Sequence, residues 1–273
     1  MCTLDGCGSH RHMPPIMVPD DLRRAFLRGV ASLPLAAVLA DRALAQAAAQ
    51  TLAPISIPVA PGKALNGALG IPAQPKAPAV ILIHEWWGLN DQIKAVAAEL
   101  TAKGYLTFAV DLLGKVATDA ETARALVQAM DPQAATAGLA AAVSWLRGHD
   151  RSNGKVAAMG WCFGGGWALN AALATPVDAT VIYYGNVKKT PDQLKALKGP
   201  VLGHFGTLDK SINGDMVMGF EKAMKDAGKA DLLSVYWYEA DHAFANPTGA
   251  RYDADDAALA WERTLFFLKK HVG

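Results

Sequence analysis

The sequence predicts a single α/β domain, a mostly parallel sheet with helices on both faces, and three observations carry that reading. Short apolar runs such as Ala79-Val80-Ile81-Leu82-Ile83 alternate with segments of helical length along most of the chain. The runs are apolar throughout rather than at every second residue, as strands covered on both faces must be. At 273 residues and 52% hydrophobic, the chain can build one large core, and no repeat, low-complexity linker or second core interrupts it.

A Pro-rich approach, Leu52 to Pro78, holds only short extended pieces, Ile55-Ser56-Ile57 and Gly67 to Ile71. The first strong strand, Ala79 to Ile83, precedes a helix from Asp91 to Lys103, whose apolar residues recur at helical spacing and which Gly104 ends. Tyr105 to Val110 is the next strand, followed by helices Asp119 to Met130 and Pro132 to Arg147. The strand Lys155 to Met159 leads into a helix Gly164 to Leu173, and strands Ala179 to Tyr183 and Pro200 to Phe205 follow. A helix Gly214 to Ala227, a strand Leu233 to Tyr238 and a closing helix Ala254 to His271 complete the series. In such sheets ligands bind beyond the carboxyl ends of the strands.

Charge narrows the ligand. With 26 basic and 25 acidic side chains the formal charge is +1, which leaves no electrostatic footprint for nucleic acid. A small, neutral or weakly charged molecule is the expected partner.

Residues 1–45 read as a leader. Arg23-Arg24-Ala25-Phe26-Leu27-Arg28-Gly29 precedes an apolar stretch, Val30 to Ala40, and Ala43-Leu44-Ala45 is an A-x-A cleavage pattern before Gln46. This predicts a twin-arginine-type export signal, hence engagement of the twin-arginine machinery and a periplasmic mature chain, residues 46–273. The apolar stretch falls short of the roughly 20 residues a spanning helix needs, so no stable membrane anchor is expected. Cleavage would remove Cys2 and Cys7 and leave Cys162 as the one thiol. Cys2, Cys7, His10 and His12 do not have the spacing of a tetrahedral zinc module, and no metal is expected.

The chemistry-bearing residues sit at strand ends. Gly160-Trp161-Cys162-Phe163-Gly164 is a G-x-C-x-G turn between a strand and a helix, where flanking glycines permit the strained conformation of a nucleophile. The helix N-terminus favours a thiolate there. Asp209 follows the strand Pro200 to Phe205, and His242 follows the strand Leu233 to Tyr238. A thiol needs a base, and the base needs a carboxylate to fix its tautomer. Nucleophile, acid and base in that chain order are expected of an α/β-hydrolase. Asp241 is the second choice for the acid. His204 lies within its strand and reads as packing, and Asp111 reads as a structural loop carboxylate. His84-Glu85-Trp86-Trp87-Gly88-Leu89-Asn90 closes the first strong strand, and its Trp86 backbone N–H, with that of Phe163, would form an oxyanion hole. Glu85, at the end of an apolar strand and followed by two tryptophans, would act as a proton acceptor or a partner for the thiol. Trp87 and Phe244, with Trp86, Trp161 and Trp167, cluster in sequence around these loops; they would line an apolar pocket or pack at the sheet edge, and Trp167, inside a helix, reads as packing.

Together these residues resemble the dienelactone hydrolase family, from about Pro54 to the C-terminus. The resemblance rests on G-x-C-x-G-G, on the E-x-x-G-x-N loop Glu85 to Asn90, and on the late aspartate with His242-Ala243-Phe244. It implies that Cys162 attacks an ester or lactone carbonyl through an acyl-thioester, that His242 is general base and acid, that Asp209 orients it, and that Glu85 accepts the thiol proton when substrate binds. It also implies that the amides of Trp86 and Phe163 hold the oxyanion, with no cofactor. The family's lactone-cleaving members place a substrate-binding arginine shortly after the histidine, where Asn246 stands here; Arg251 and Arg124 are the candidate substitutes. A non-catalytic small-molecule binding protein on the same scaffold is the alternative, and a redox role for Cys162 is disfavoured because the mature chain lacks a resolving cysteine.

Overall fold

The apolar runs pair as strands of one eight-stranded sheet in the computed structural model, which describes residues 35–273. The strands are β1 (Ala53–Ala60), β2 (Lys63–Gly70), β3 (Ala77–Ile83), β4 (Leu106–Asp111), β5 (Ser152–Trp161), β6 (Ala179–Tyr183), β7 (Val201–Gly206) and β8 (Leu233–Tyr238). Their spatial order is β1-β2-β4-β3-β5-β6-β7-β8. All pairs from β4 to β8 are parallel, whereas β1 with β2 and β2 with β4 run antiparallel. The strands β3, β5, β6 and β7 therefore end at one edge, which is where the candidate residues lie.

The short extended pieces of the Pro-rich approach turn out to be the hairpin β1–β2. Pro54 and Pro58 are tolerated because β1 is the outermost strand, so a missing N–H leaves no ladder bond unmade on its open side. Proline, glycine and half-exposed positions weaken the strand pattern there, and its partner β4 is distant in sequence.

Helices cover both faces. On one lie α1 (Leu35–Ala40), α2 (Arg42–Ala49), α3 (Asp91–Ala102) and the closing α9 (Ala254–His271); on the other lie α5 (Pro132–Gly148), α6 (Phe163–Ala174) and α8 (Gly214–Asp226). Between them in the chain come α4 (Ala120–Ala129) and a single turn, α7 (Pro191–Leu194), too short for the apolar pattern to announce and started by a Thr190–Gln193 capping box. Side chains alternate along β3: Val80 and Leu82 enter the α3/α9 core, and Ile81 and Ile83 enter the α5/α6 core, all with no exposed surface. Each such side chain contributes about 1.5–3 kcal/mol by burial. Side-chain caps set the helix starts: Asn90 accepts from the Ile93 N–H at 3.1 Å, Asp119 from that of Thr122 at 2.7 Å, and Asp131 from that of Gln133 at 2.9 Å.

The end of the expected leader is folded onto the domain. Asp41 caps α2 by accepting from the Ala43 N–H at 2.8 Å, and Val38, Leu39, Ala45 and Ala48 are buried in the same core as Ile93 and Val96 of α3. An Ala- and Leu-rich stretch has high helix propensity, and its apolar side buries where a matching helix surface is available.

Candidate active site

Glu85, Cys162, Asp209 and His242 follow β3, β5, β7 and β8 within a few residues, at the carboxyl edge of the sheet. Parallel pairing brings together residues separated by up to 157 positions in the chain, counting from Glu85 to His242.

Cys162 sits at the turn from β5 into α6 with φ 52° and ψ −115°. This left-handed region is costly for a residue with a side chain and persists only where the surroundings enforce it. The enforcement is visible in the glycines: a Cβ at Gly160 would strike the Gly164 carbonyl, and one at Gly164 would strike the Ile83 carbonyl. The Cys162 N–H donates to the Tyr183 carbonyl at 2.9 Å, pinning the turn to β6.

From Sγ a polar line runs inward. His242 Nε2 lies 3.1 Å from Cys162 Sγ, and His242 Nδ1 lies 2.6 Å from Asp209 Oδ2. A carboxylate can only accept, so Nδ1 carries hydrogen. The other Asp209 oxygen accepts from the backbone N–H groups of Ser211 at 2.7 Å and Ile212 at 2.9 Å, so the carboxylate is held from both sides. Burial opposes charge on the His242 ring, but its bonds to Asp209 and Cys162 outweigh burial and raise its pKa to about 10. Burial likewise works to raise that of Asp209, and the bond and charge of His242 with the two N–H groups hold it below its ordinary value.

Glu85 is buried, and its Oε2 accepts from Asn246 Nδ2 at 2.9 Å. The Asn246 amide is oriented by three donors to its Oδ1: Gln92 Nε2 of α3 at 2.9 Å, the Thr248 N–H at 3.0 Å and the Thr248 hydroxyl at 2.7 Å. Beneath the loop, His84 is fully buried; its Nδ1 donates to the Glu85 carbonyl at 2.5 Å and its Nε2 accepts from the Leu112 N–H at 3.1 Å. Burial holds the His84 pKa down, partly offset by the Glu85 carbonyl and Asp111.

Several expected wall residues are packed instead. Trp87 is 4% exposed and packs with Ala117 and Ala123, while Trp86 leans on it at 4.8 Å between rings. Phe244 has no exposed surface and packs on Tyr184 and Tyr238, so it supports the histidine loop from below rather than presenting a face. The Phe163 ring stacks over His84 at 5.9 Å, leaving its backbone at the helix start. Trp167 packs on Phe163 in the α5/α6 core, and Trp161 stacks on Tyr183. Asp241 turns from the ring and accepts from the His242 backbone N–H at 2.6 Å, with Arg251 at 3.8 Å. Asp111 accepts from the Leu113 and Gly114 N–H groups, as a loop carboxylate does, and Arg124 lies exposed on α4.

Among the described residues three non-glycine residues have positive φ: Cys162, Tyr184 at 37° and Ala243 at 64°. All surround the same spot, for Ala243 follows His242 and the Tyr184 ring meets the His242 ring edge-on at 5.2 Å. Neither Tyr184, nor Gln92, nor Thr248 carries a sequence signal beyond its place after a strand or at a helix start. Cys2, Cys7, His10, His12, Arg23 and Arg24 lie outside the described residues. Among the described residues no group of three or more His, Cys, Asp or Glu is placed to hold a metal ion.

Comparison with known proteins identifies the family. Residues 65–272 match the family described as the dienelactone hydrolase family. The carboxymethylenebutenolidase of Pseudomonas putida is 33% identical over 226 residues, covering 78% of this chain and 94% of that protein. Carboxymethylenebutenolidase 1 of Cupriavidus pinatubonensis is 28% identical over 73% of this chain and 89% of its own length. Among solved structures, a dienelactone hydrolase-like promiscuous phosphotriesterase from metagenomic libraries superposes with a TM-score of 0.73 at 23% identity, covering 82% of this chain and 99% of that one. The chain belongs to the dienelactone hydrolase family and is a hydrolase of the class that cleaves lactones and esters.

Proposed function

We propose that the protein hydrolyses a small, uncharged ester or lactone, with Cys162 as nucleophile, His242 as general acid and base, and Asp209 holding the ring. The observation that carries this is the strained Cys162 turn in line with His242 and Asp209. A ring titrating near 10 is protonated at neutral pH, so Nε2–H faces Sγ and Sγ is its acceptor. Glu85, held by Asn246, is the proton acceptor for a Cys162 thiol.

The steps then balance. Sγ attacks the carbonyl carbon, and the oxyanion forms against the backbone N–H groups of Phe163 and Trp86. Collapse breaks the C–O bond, and His242 Nε2 gives its proton to the leaving alkoxide, which remains tethered to the acyl group when the substrate is a lactone. The now neutral ring takes a proton from water attacking the thioester, and the second collapse releases the acid and returns Sγ as thiolate. Beside Glu85 stands the neutral amide of Asn246, which offers no charge to a substrate carboxylate, so an uncharged ester or lactone is favoured over an anionic one.

The test is turnover of short-chain aryl esters and unsaturated lactones by the native chain, by Cys162→Ala and after iodoacetamide treatment. Turnover that vanishes in both treated forms is expected. Turnover that survives in Cys162→Ala overturns the nucleophile; no turnover of any substrate, with Cys162 resisting alkylation, replaces the reading by a binding protein.

We also propose export through the twin-arginine leader with cleavage after Ala45, supported by Arg23-Arg24 and Ala43-Leu44-Ala45. No helix among the described residues is long and apolar enough to cross a membrane. Replacing both arginines with lysine should retain the protein in the cytoplasm at full length; unchanged export would overturn the assignment.

A further inference from the structure

A cavity of about 330 Å³ lies between α1, α3 and α9, on the sheet face opposite α6. Its apolar walls include Val96, Trp161, Tyr183, Ala245 and Trp261, joined by Leu39 of α1 in the chain before cleavage. None of Cys162, His242, Asp209 or Glu85 lines it. The volume is in the range of small-molecule sites, which pair an apolar lining with a few placed polar groups.

Two such groups are present without protein partners. Glu99 is 5% exposed; its Oε1 pairs with Lys103 Nζ at 3.2 Å, while its Oε2 is buried and takes no hydrogen bond within the protein. The Tyr252 hydroxyl is also buried and unpartnered. Both residues line the cavity. Polar atoms this buried are nearly always bonded in folded proteins, because they lose water without replacement otherwise. The other tyrosine on the wall is already accounted for, since the Tyr183 hydroxyl bonds Thr264 at 2.7 Å.

A carboxylate oxygen only accepts, so whatever completes Glu99 must donate a hydrogen. Its charge is already balanced by Lys103, which removes the need for a cation. A phenolic Tyr252 can donate in return. We propose that this cavity is a second binding site, separate from the catalytic one, for a small apolar alcohol or phenol. The ligand hydroxyl donates to Glu99 Oε2 and accepts from the Tyr252 hydroxyl, while its apolar body lies among Trp161, Tyr183 and Trp261. This holds whether or not Cys162 is the nucleophile. The site adjoins the catalytic residues along the chain, as Trp161 precedes Cys162 and Ala245 and Pro247 flank Asn246.

Calorimetric titration of the full-length protein with phenol, and with toluene as the match lacking the hydroxyl, tests it. Phenol should bind saturably with a Kd of about 1 mM or below, and toluene about tenfold more weakly. Alkylating Cys162 should leave phenol binding unchanged. Ala257→Phe, which fills the cavity from a half-buried position on α9, should abolish it, and Glu99→Leu should erase the preference for phenol, both with a native near-ultraviolet circular dichroism spectrum. No saturable heat means the cavity holds water only and overturns the proposal. So does equal binding of phenol and toluene, or phenol binding that survives Ala257→Phe and disappears on Cys162 alkylation.

Discussion

Two buried histidines, one on β7 and one just after β8, show what fixes a titration in this molecule. His204 lies on β7 with no exposed surface, its ring bonded to the neutral hydroxyls of Tyr238 at 2.8 Å and Thr264 at 3.0 Å. Burial, helped by the nearby Arg263, drives its pKa down to about 3. His242, after β8, is also buried, with 7% of its surface exposed, yet its pKa is raised to about 10. His242 has the carboxylate of Asp209 and Cys162 as partners, where His204 has two neutral hydroxyls and the Arg263 charge nearby. Desolvation sets the default, and a charged partner within hydrogen-bonding distance reverses it.

The largest effect should come from removing that carboxylate. Asp209→Asn keeps the shape and deprives Nδ1 of its anion, and by analogy with other triads kcat for an ester substrate should fall about 10⁴-fold. A loss of only a few-fold would mean that Asp209 is structural. The converse change, His204→Gln, should leave kcat within a few-fold and cost roughly 1–3 kcal/mol in urea unfolding, because Tyr238 and Thr264 lose a partner.

The two rings should also divide the pH axis. A histidine raised from 6.5 to about 10 contributes stability that is complete below pH 6.5 and lost as pH rises toward 10. One lowered to about 3 contributes stability that is complete above pH 6.5 and lost as pH falls toward 3. The stability gap between wild type and His242→Gln should therefore narrow on the alkaline side, and that for His204→Gln on the acid side. Parallel curves would dissolve the contrast. The smallest effect expected is at Gln92, one of three donors orienting Asn246: Gln92→Ala should lower kcat/KM a few-fold by loosening Asn246 against Glu85, with Asn246→Ala larger.

Much of the sheet was legible because β3 to β8 announce themselves by local composition. The strand Leu233–Tyr238 and the helix Ala254–His271 fall where the apolar pattern puts them. The hairpin β1–β2 was less so, since its pairing with β4 is a long-range property and its prolines make sense only once β1 is an edge. Cys162, Asp209 and His242 stood out because each lies within a few residues of a strand end. Trp87 and Phe244 show the limit of that argument: position in a loop says that a ring is near the site, whereas its direction is decided by partners elsewhere in the chain. Tyr184 was silent for the same reason, its ring packing against His242 and Phe244 from a distant part of the chain. Gln92 and Thr248 act at one remove, through Asn246, which no local pattern records.

Ala45, the residue at the expected cleavage point, is 5% exposed and lies inside α2, whose neighbours press on α3. Proteases cut where the backbone is exposed and extendable, not within a docked helix. Processing after Ala45 would thus be a race: a peptidase that arrives before α2 settles finds an open substrate, and one that arrives later must wait for the helix to lift. Weakening the contact between α2 and α3 would set that clock faster without touching the cleavage sequence.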